Sequence, residues 1–209
     1  MRAINHRNAG FTVVEICVAL VIFGVLLAVG IPAMSKSVAA GKAVSASEFY
    51  AEGMRLARQT AVSNNAVSRF VLSKNAVNGQ FDWQVDVCFR SGTDSCESDS
   101  SGWSSAEHNA SGDPSGATGF KSVLRSAVAL PKSTTLVTTP APSDATDVYF
   151  TPVGWVDTSY DNHLENLDMA PSAKASGQFP RSALAITLAG SVTKCSPDVV
   201  EHDARACPQ

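Results

Sequence analysis

Gly10-Phe11-Thr12-Val13-Val14-Glu15 begins the most apolar segment of this 209-residue chain. The segment runs from Phe11 to Ile31, and only Thr12 and Glu15 interrupt it with polar side chains. As a helix rising ~1.5 Å per residue it would reach about 31 Å, the thickness of one hydrocarbon core. Two arginines precede the segment, and cations beside a span stay cytoplasmic, so the C-terminal body is predicted to lie outside the cytoplasm.

Three interpretations of this segment compete. A cleaved secretory signal would have a shorter apolar core followed by a small-x-small site, for which Val38-Ala39-Ala40 is a weak candidate. A plain membrane anchor fits the length but not Glu15, because a carboxylate in a spanning helix costs a few kcal/mol. The third interpretation is cleavage between Gly10 and Phe11. It would create an amine four residues from Glu15, and that amine would pair with Glu15 of a neighbouring subunit.

The stretch Gly10-Phe11-Thr12-Val13-Val14-Glu15 resembles the type IV prepilin motif shared by pilins and type II secretion pseudopilins. The resemblance implies cleavage between Gly10 and Phe11 by prepilin peptidase and N-methylation of Phe11. It also implies a bacterial inner-membrane protein that crosses the membrane once, holds its head in the periplasm and then enters a pilus or pseudopilus.

The same resemblance places three residues in an assembly segment: Thr12, Glu15 and Pro32. Glu15 is expected to dock incoming subunits, and Pro32 falls where the family has its helix-bending proline. The implied partners are other pilin or pseudopilin subunits, bound through the N-terminal helix.

Helical periodicity continues beyond Pro32. Small and apolar residues recur at helical spacing and form one stripe, made of Ala46, Phe49, Gly53, Leu56, Ala57 and Thr60. The sequence therefore predicts an α+β fold, a long N-terminal helix followed by a β-rich head. The predicted parts are a leader (1–10), a filament-core helix (11–35), an amphipathic helical half (36–66), the head (67–190) and a tail (191–209).

The head is predicted from strand-like runs. Val67–Leu72 and Trp83–Phe89 flank an Asn78-Gly79 pair, which is a strong hairpin signal. Two polar stretches, 91–120 and 157–180, are predicted to be surface insertions or mobile loops that bury little apolar surface. The further strand candidates are Val123–Leu130, Thr134–Thr138, Val148–Phe150 and Leu184–Leu188.

Three stretches resemble the GspH/FimT branch of the superfamily. Leu56–Val67 is similar to the end of that branch's helix and the start of its first strand. Phe150-Thr151-Pro152-Val153-Gly154 resembles its Phe-x-Pro-x-Gly stretch, and Ala183–Gly190 resembles its last core strand.

The chain has five cysteines, of which Cys17 lies in the apolar segment. The other four form two local sets, Cys88 with Cys96 and Cys195 with Cys207, and neither has CxxC spacing. Two short-range disulfides in an oxidising compartment fit this pattern, and free buried thiols are the alternative.

Catalytic patterns such as GxSxG, Walker A, HExxH and GxGxxG do not occur in the sequence, which predicts a protein that is not an enzyme and needs no cofactor. A zinc site can be drawn from Cys195, His202, Asp203 and Cys207. The disulfide interpretation is preferred to it in a secreted context, so no metal is expected.

Some FimT-type members bind DNA through a Gly-Arg-x-Arg pattern after the last strand, whereas this chain has Gly190-Ser191-Val192-Thr193-Lys194. Lys194 and Arg205 are the remaining candidates for DNA contacts, in a tail with two basic and three acidic residues. Phosphate binding needs several cations. The sequence therefore favours a minor pilin or minor pseudopilin over a DNA-uptake pilin, and a head that meets secreted protein cargo is a second alternative.

Overall fold

The computed structural model describes residues 12–90, 96–200 and 202–208. It confirms the predicted α+β class, because one long helix precedes eight strands that form two antiparallel sheets. The chain divides into two compact units at Ala39/Ala40; we call the second, residues 40–209, the globular unit. The predicted cleavage site between Gly10 and Phe11 lies outside the described residues.

Helix α1 spans Val13–Asn64, and a glycine-free turn ends it. Asn65 adopts a left-handed conformation with φ of 48°, the Ala66 N–H donates to the Ala61 carbonyl at 3.1 Å, and the Asn65 N–H donates to Val62 at 3.3 Å. This pair of bonds is a Schellman motif, which satisfies carbonyls that the helix end would leave free. The turn reverses the chain, and the first strand starts two residues later.

The first sheet has the strand order β3-β2-β1-β5 and the second has the order β4-β6-β7-β8. The strands of the first sheet are β1 (Val67–Lys74), β2 (Phe81–Cys88), β3 (Val123–Arg125) and β5 (Asp147–Phe150). Those of the second are β4 (Leu136–Ala141), β6 (Asn166–Pro171), β7 (Ser182–Ile186) and β8 (Val192–Cys195).

Strands β1 and β2 form the predicted hairpin. They pair from Val67↔Cys88 to Lys74↔Phe81, and Gly79, with φ of 74°, supplies the left-handed residue in the connecting loop. The Asn78 side chain donates to the Ala127 carbonyl at 2.6 Å, which fastens the loop to the segment after β3. An Asn-Gly pair therefore marks the reversal here, as the sequence indicated.

The globular part of α1 buries small residues so that the helix can approach the first sheet closely. A Cβ atom on Gly53 would fall 2.6 Å from Phe70 Cε2 and 2.7 Å from Trp83 Cδ2. Tyr50 is buried in the same face; its hydroxyl accepts the Phe81 N–H at 3.2 Å, and burial raises the pKa of Tyr50 to about 12. The residues of the predicted stripe are thus buried or half-buried. The prediction omitted Tyr50 and Met54, two larger side chains of the helix that are also buried.

The prediction that 157–180 is a loop with little buried apolar surface is wrong, because β6 lies within it. Leu167 and Met169 are buried, and β6 pairs with both β4 and β7 in the second sheet. Only two apolar side chains alternate in this strand, and it ends at Pro171, a residue type that is rare in central strands. Pro171 is tolerated because β7 pairs only with residues 166–169 of β6, so no hydrogen bond to β7 is lost at that position.

The loop 91–120 also buries more than its composition predicts, as far as its described residues 96–120 show. Trp103 is buried against Tyr149, and the Arg69 guanidinium lies 4.3 Å from the centre of the Trp103 ring. Arg69 also pairs with the buried Asp86 at 2.9 Å and donates to the Ser98 carbonyl at 2.6 Å. One tryptophan and one arginine therefore hold this segment on the sheet despite its many serines.

Two strand boundaries also differ from the prediction. The candidate strand Val123–Leu130 is a strand only to Arg125, because residues 127–129 form a 3-10 turn. The predicted tail begins with β8, which pairs with β7 from Ile186↔Val192 to Ala183↔Cys195. Ala183–Gly190 contains most of β7, which is largely buried, and the mostly exposed edge strand β8 follows it in the predicted tail.

Replacing Gly53 with alanine should destabilise the globular unit by about 1–3 kcal/mol, because the added methyl group meets two buried rings. Gly41→Ala is the matched control: it lies in the same helix, has nothing within 4 Å of its Cβ position, and should gain up to ~1 kcal/mol of helix propensity. Urea unfolding of the full chain in detergent measures both. Equal stability of the two variants would contradict the close approach of helix and sheet.

Candidate assembly segment and tail

The start of α1 is a capping box formed by Thr12 and Glu15. The backbone N–H and the hydroxyl of Thr12 donate to Glu15 Oε2 at 3.1 and 3.2 Å, and the Glu15 N–H donates back to the Thr12 hydroxyl at 3.2 Å. Such reciprocal bonds satisfy donors that the first helical turn leaves free, and a carboxylate there also complements the helix dipole. The motif residues Thr12 and Glu15 thus define where the helix begins.

Only one carboxylate oxygen of Glu15 is used in this cap. Within the residues that the structure describes, Glu15 Oε1 has no hydrogen-bond partner. The capping box therefore stabilises the helix start and leaves one acceptor oxygen of Glu15 for a group outside this chain.

The first part of α1 exposes apolar side chains on every face. Its best 18-residue window has a mean hydropathy of 2.8, and none of that window is buried. Among the described residues this is the one helix long and apolar enough to cross a membrane. An all-round apolar surface needs either lipid or neighbouring helices to cover it.

Pro32 lies inside α1, which continues through it without a break. Proline has no N–H, so the Ala28 carbonyl one turn earlier loses its helical partner. The Ser35 hydroxyl donates to the Pro32 carbonyl at 2.9 Å, a side-chain bond in the next turn. Pro32 is thus a locally weakened position in an otherwise regular helix.

Both predicted disulfides are present, Cys88–Cys96 and Cys195–Cys207. The first joins the end of β2 to the segment that carries Trp103. The second joins the end of β8 to the tail, and because it uses both cysteines it excludes them as zinc ligands. Cys17 is the free cysteine among the described residues and is exposed on α1.

The two candidate DNA-contact residues differ in whether their charge is already paired. Lys194 is exposed on β8, which is an edge strand, and a lysine there is a common protection against strand pairing. Arg205 donates to both carboxylate oxygens of Asp203, at 3.0 and 2.7 Å, and these bonds lower the pKa of Asp203 to about 2. Within the described residues of the tail, Lys194 therefore has no ion pair, whereas Arg205 is already paired.

The fold brings together three stretches that lie far apart in the sequence. Arg58 Nε donates to the Gly154 carbonyl at 2.9 Å, and a Cβ atom on Gly190 would lie 2.1 Å from that same carbonyl oxygen. Arg58 belongs to the Leu56–Val67 stretch, Gly154 ends the Phe150–Gly154 stretch, and Gly190 ends the Ala183–Gly190 stretch. The positive φ of Gly154 and Gly190, 83° and 74°, shows why glycine is required at both positions.

Two family models match this chain. A family model described as "Type II transport protein GspH" matches residues 46–191, and a model of the prokaryotic N-terminal methylation motif matches residues 5–31. The first match includes most of the globular unit, and the second contains the capping box. No curated protein and no solved structure gave a significant match. The chain therefore belongs to the GspH family and is a structural subunit of the pilin and pseudopilin type.

Proposed function

We propose that this chain is a minor pilin or minor pseudopilin that acts by assembly rather than by catalysis. The observation that carries the proposal is Glu15, a carboxylate in the first turn of a helix that is apolar on all faces. In a plain anchor Glu15 would only cap the start of the helix, at the cost of a carboxylate in lipid, whereas an assembling helix also gains a specific contact.

Processing would supply the partner of Glu15. Cleavage between Gly10 and Phe11 by prepilin peptidase removes the basic leader and places a new amine next to Thr12. N-methylation of Phe11 leaves that amine able to carry a positive charge. The second oxygen of Glu15, which the capping box does not use, would accept a hydrogen bond from the amine of a neighbouring subunit.

The proposed topology follows from the same helix. The basic leader stays in the cytoplasm, α1 crosses the inner membrane, and the globular unit lies in the periplasm. Two disulfides in the globular unit support this placement, because they persist in oxidising compartments such as the periplasm. Pro32 would let the helix bend where it enters the packed bundle of a filament.

A role in DNA uptake has less support. The tail presents Lys194 as a free cation, while Asp203 already holds Arg205. Arg181, which is close to the tail, forms ion pairs with Asp168 and Asp198. A polyanion would have to compete with these carboxylates for both arginines.

Glu15→Gln tests the docking role while it preserves the helix start. Glutamine also serves in capping boxes, so the helix should begin at the same residue and the chain should still insert in the membrane. Without the charge, incorporation into filaments should fall about tenfold or more, which corresponds to a loss of at least ~1.4 kcal/mol. The measurement is the fraction of inserted chain that co-purifies with sheared filaments or with the assembly complex.

Val14→Gln is the matched control, because it adds an amide one position earlier and keeps the acid. It should incorporate far better than Glu15→Gln. Incorporation of Glu15→Gln at the wild-type level would rule out docking through the charge of Glu15.

The full chain in detergent should bind duplex DNA weakly or not at all. In the described part of the tail Lys194 has no ion pair and Arg205 is held by Asp203, whereas phosphate binding at ~150 mM salt needs several available cations. Gel shifts with Lys194→Ala as the comparison provide the measurement. A sub-micromolar shift at that salt concentration, lost in Lys194→Ala, would restore the DNA-uptake alternative.

A further inference from the structure

Four large apolar side chains are exposed on neighbouring segments of the globular unit. The exposed fractions are 50% for Val62, 70% for Val153, 62% for Trp155 and 67% for Leu188. We call these four residues, together with Arg58, the Trp155 patch. Single exposed apolar residues are common, but several on adjoining segments, with a tryptophan among them, are typical of a protein-protein contact.

Short contacts join the three segments of the Trp155 patch. A Cβ atom on Gly154 would lie 2.9 Å from Val62 Cγ2, so the turn that carries Val153 and Trp155 packs directly on α1. The Val156 N–H donates to the Leu188 carbonyl at 2.9 Å, which places Leu188 beside the same turn. A backbone hydrogen bond and a close packing contact therefore hold the three segments together, and little backbone freedom would be lost when the surface binds.

Arg58 gives the patch a charge preference. Its Nε is used by the Gly154 carbonyl, and its guanidinium forms no ion pair with any residue in the described part of the chain. Arg55, one turn earlier, is paired only with Glu48 at 3.5 Å, on an exposed face where such pairs contribute little. A carboxylate is the natural partner for the terminal nitrogens of Arg58.

The charge distribution of the chain indicates what supplies that carboxylate. Residues 36–74 carry six basic and two acidic side chains, whereas residues 75–209 carry eight basic and sixteen acidic ones. The net negative charge of residues 75–209 in a neighbouring copy would be attracted to the unpaired cations of residues 36–74, Arg58 among them. Opposite charges arranged in this way favour association and fix its register.

We propose that the Trp155 patch is the docking surface for the globular unit of a neighbouring pilin-like subunit, which presents a carboxylate to Arg58 beside apolar side chains. This inference rests on the proposed assembly function and adds a contact outside the N-terminal helix. A nucleic acid or a lipid surface fits less well, because the patch combines four apolar side chains with a single cation.

In-cell photo-cross-linking of the full chain tests the proposal. Benzoylphenylalanine replaces Trp155 in one variant, Val77 in a second and Ile22 in a third. Val77 is an equally exposed control in the β1–β2 loop, and Ile22 reports contacts of α1. Position 155 should give an adduct that mass spectrometry identifies as a pilin-like subunit, another copy of this chain or a different one, at about fivefold or more the yield at position 77.

Two charge variants at Leu188 test the preference for a carboxylate. Leu188 is exposed, so both variants should unfold at the wild-type temperature, which a thermal scan checks. Leu188→Glu places a like charge against an acidic partner and should reduce the position-155 adduct about fivefold or more, whereas Leu188→Lys should reduce it less than about twofold. Equal loss in both variants would contradict the carboxylate contact.

The Ile22 variant separates the two proposals. Subunit adducts at position 22 with none at position 155, or adducts at 155 only with secreted protein or lipid, would overturn the docking surface and leave the assembly function standing. Absence of subunit adducts at both positions would overturn the assembly function and, with it, the docking surface.

Discussion

The carboxylate of Glu15 in an apolar helix is the constraint on which the account of this protein depends. Such a group costs free energy in a lipid environment unless its charge and its hydrogen bonds are satisfied. Thr12 satisfies one oxygen through a capping box, which also sets the first residue of α1. The other oxygen can accept a hydrogen bond, and the expected donor is an amine. Cleavage between Gly10 and Phe11 would create that amine. In the proposed function, one residue thus links the start of the helix, membrane insertion and assembly.

The globular unit depends on a different constraint, the close approach of α1 to the first sheet. Gly53 leaves room for Phe70 and Trp83, and the Ser68 hydroxyl donates to the Ala57 carbonyl at 2.5 Å where the first strand begins. The same helix supplies Arg58, which holds the Gly154 turn. Small residues on one helix face therefore determine where the sheet lies and which side chains remain exposed at its edge.

The parts of the fold that could be predicted from the sequence are those with local signals. The membrane-length apolar run, the Asn78-Gly79 reversal and the paired cysteines each depend on residues close together in the chain. The features that were missed depend on distant partners. Strand β6 has two core side chains among polar neighbours, and only its pairing with β4 and β7 makes it a strand. Trp103 is a single residue in a serine-rich loop, and its burial follows from Arg69 and Tyr149.

The candidate site likewise has features that the sequence predicts and features that depend on distant residues. Thr12 and Glu15 were recognisable because they stand in a stretch that resembles the prepilin motif, whereas the capping box between them became visible only in the structure. The Trp155 patch was not recognisable as one surface, because Val62, Trp155 and Leu188 lie far apart in sequence. The pairing of Arg205 with Asp203 was also invisible, since sequence alone shows only that both charges are present. Three-dimensional contacts were needed to distinguish an available cation from one already paired.

Cross-linking by a membrane-permeant carbodiimide tests the central claim most directly, because it joins a carboxylate only to an amine in contact with it. In membranes that hold assembled subunits, the account predicts a peptide in which Glu15 of this chain is linked to the methylated N-terminal residue of another subunit. Mixing isotopically heavy and light subunits distinguishes that link from one within a single chain. Linkage of Glu15 only to the amine of its own chain, or to no N-terminal amine, would contradict the claim that Glu15 docks neighbouring subunits.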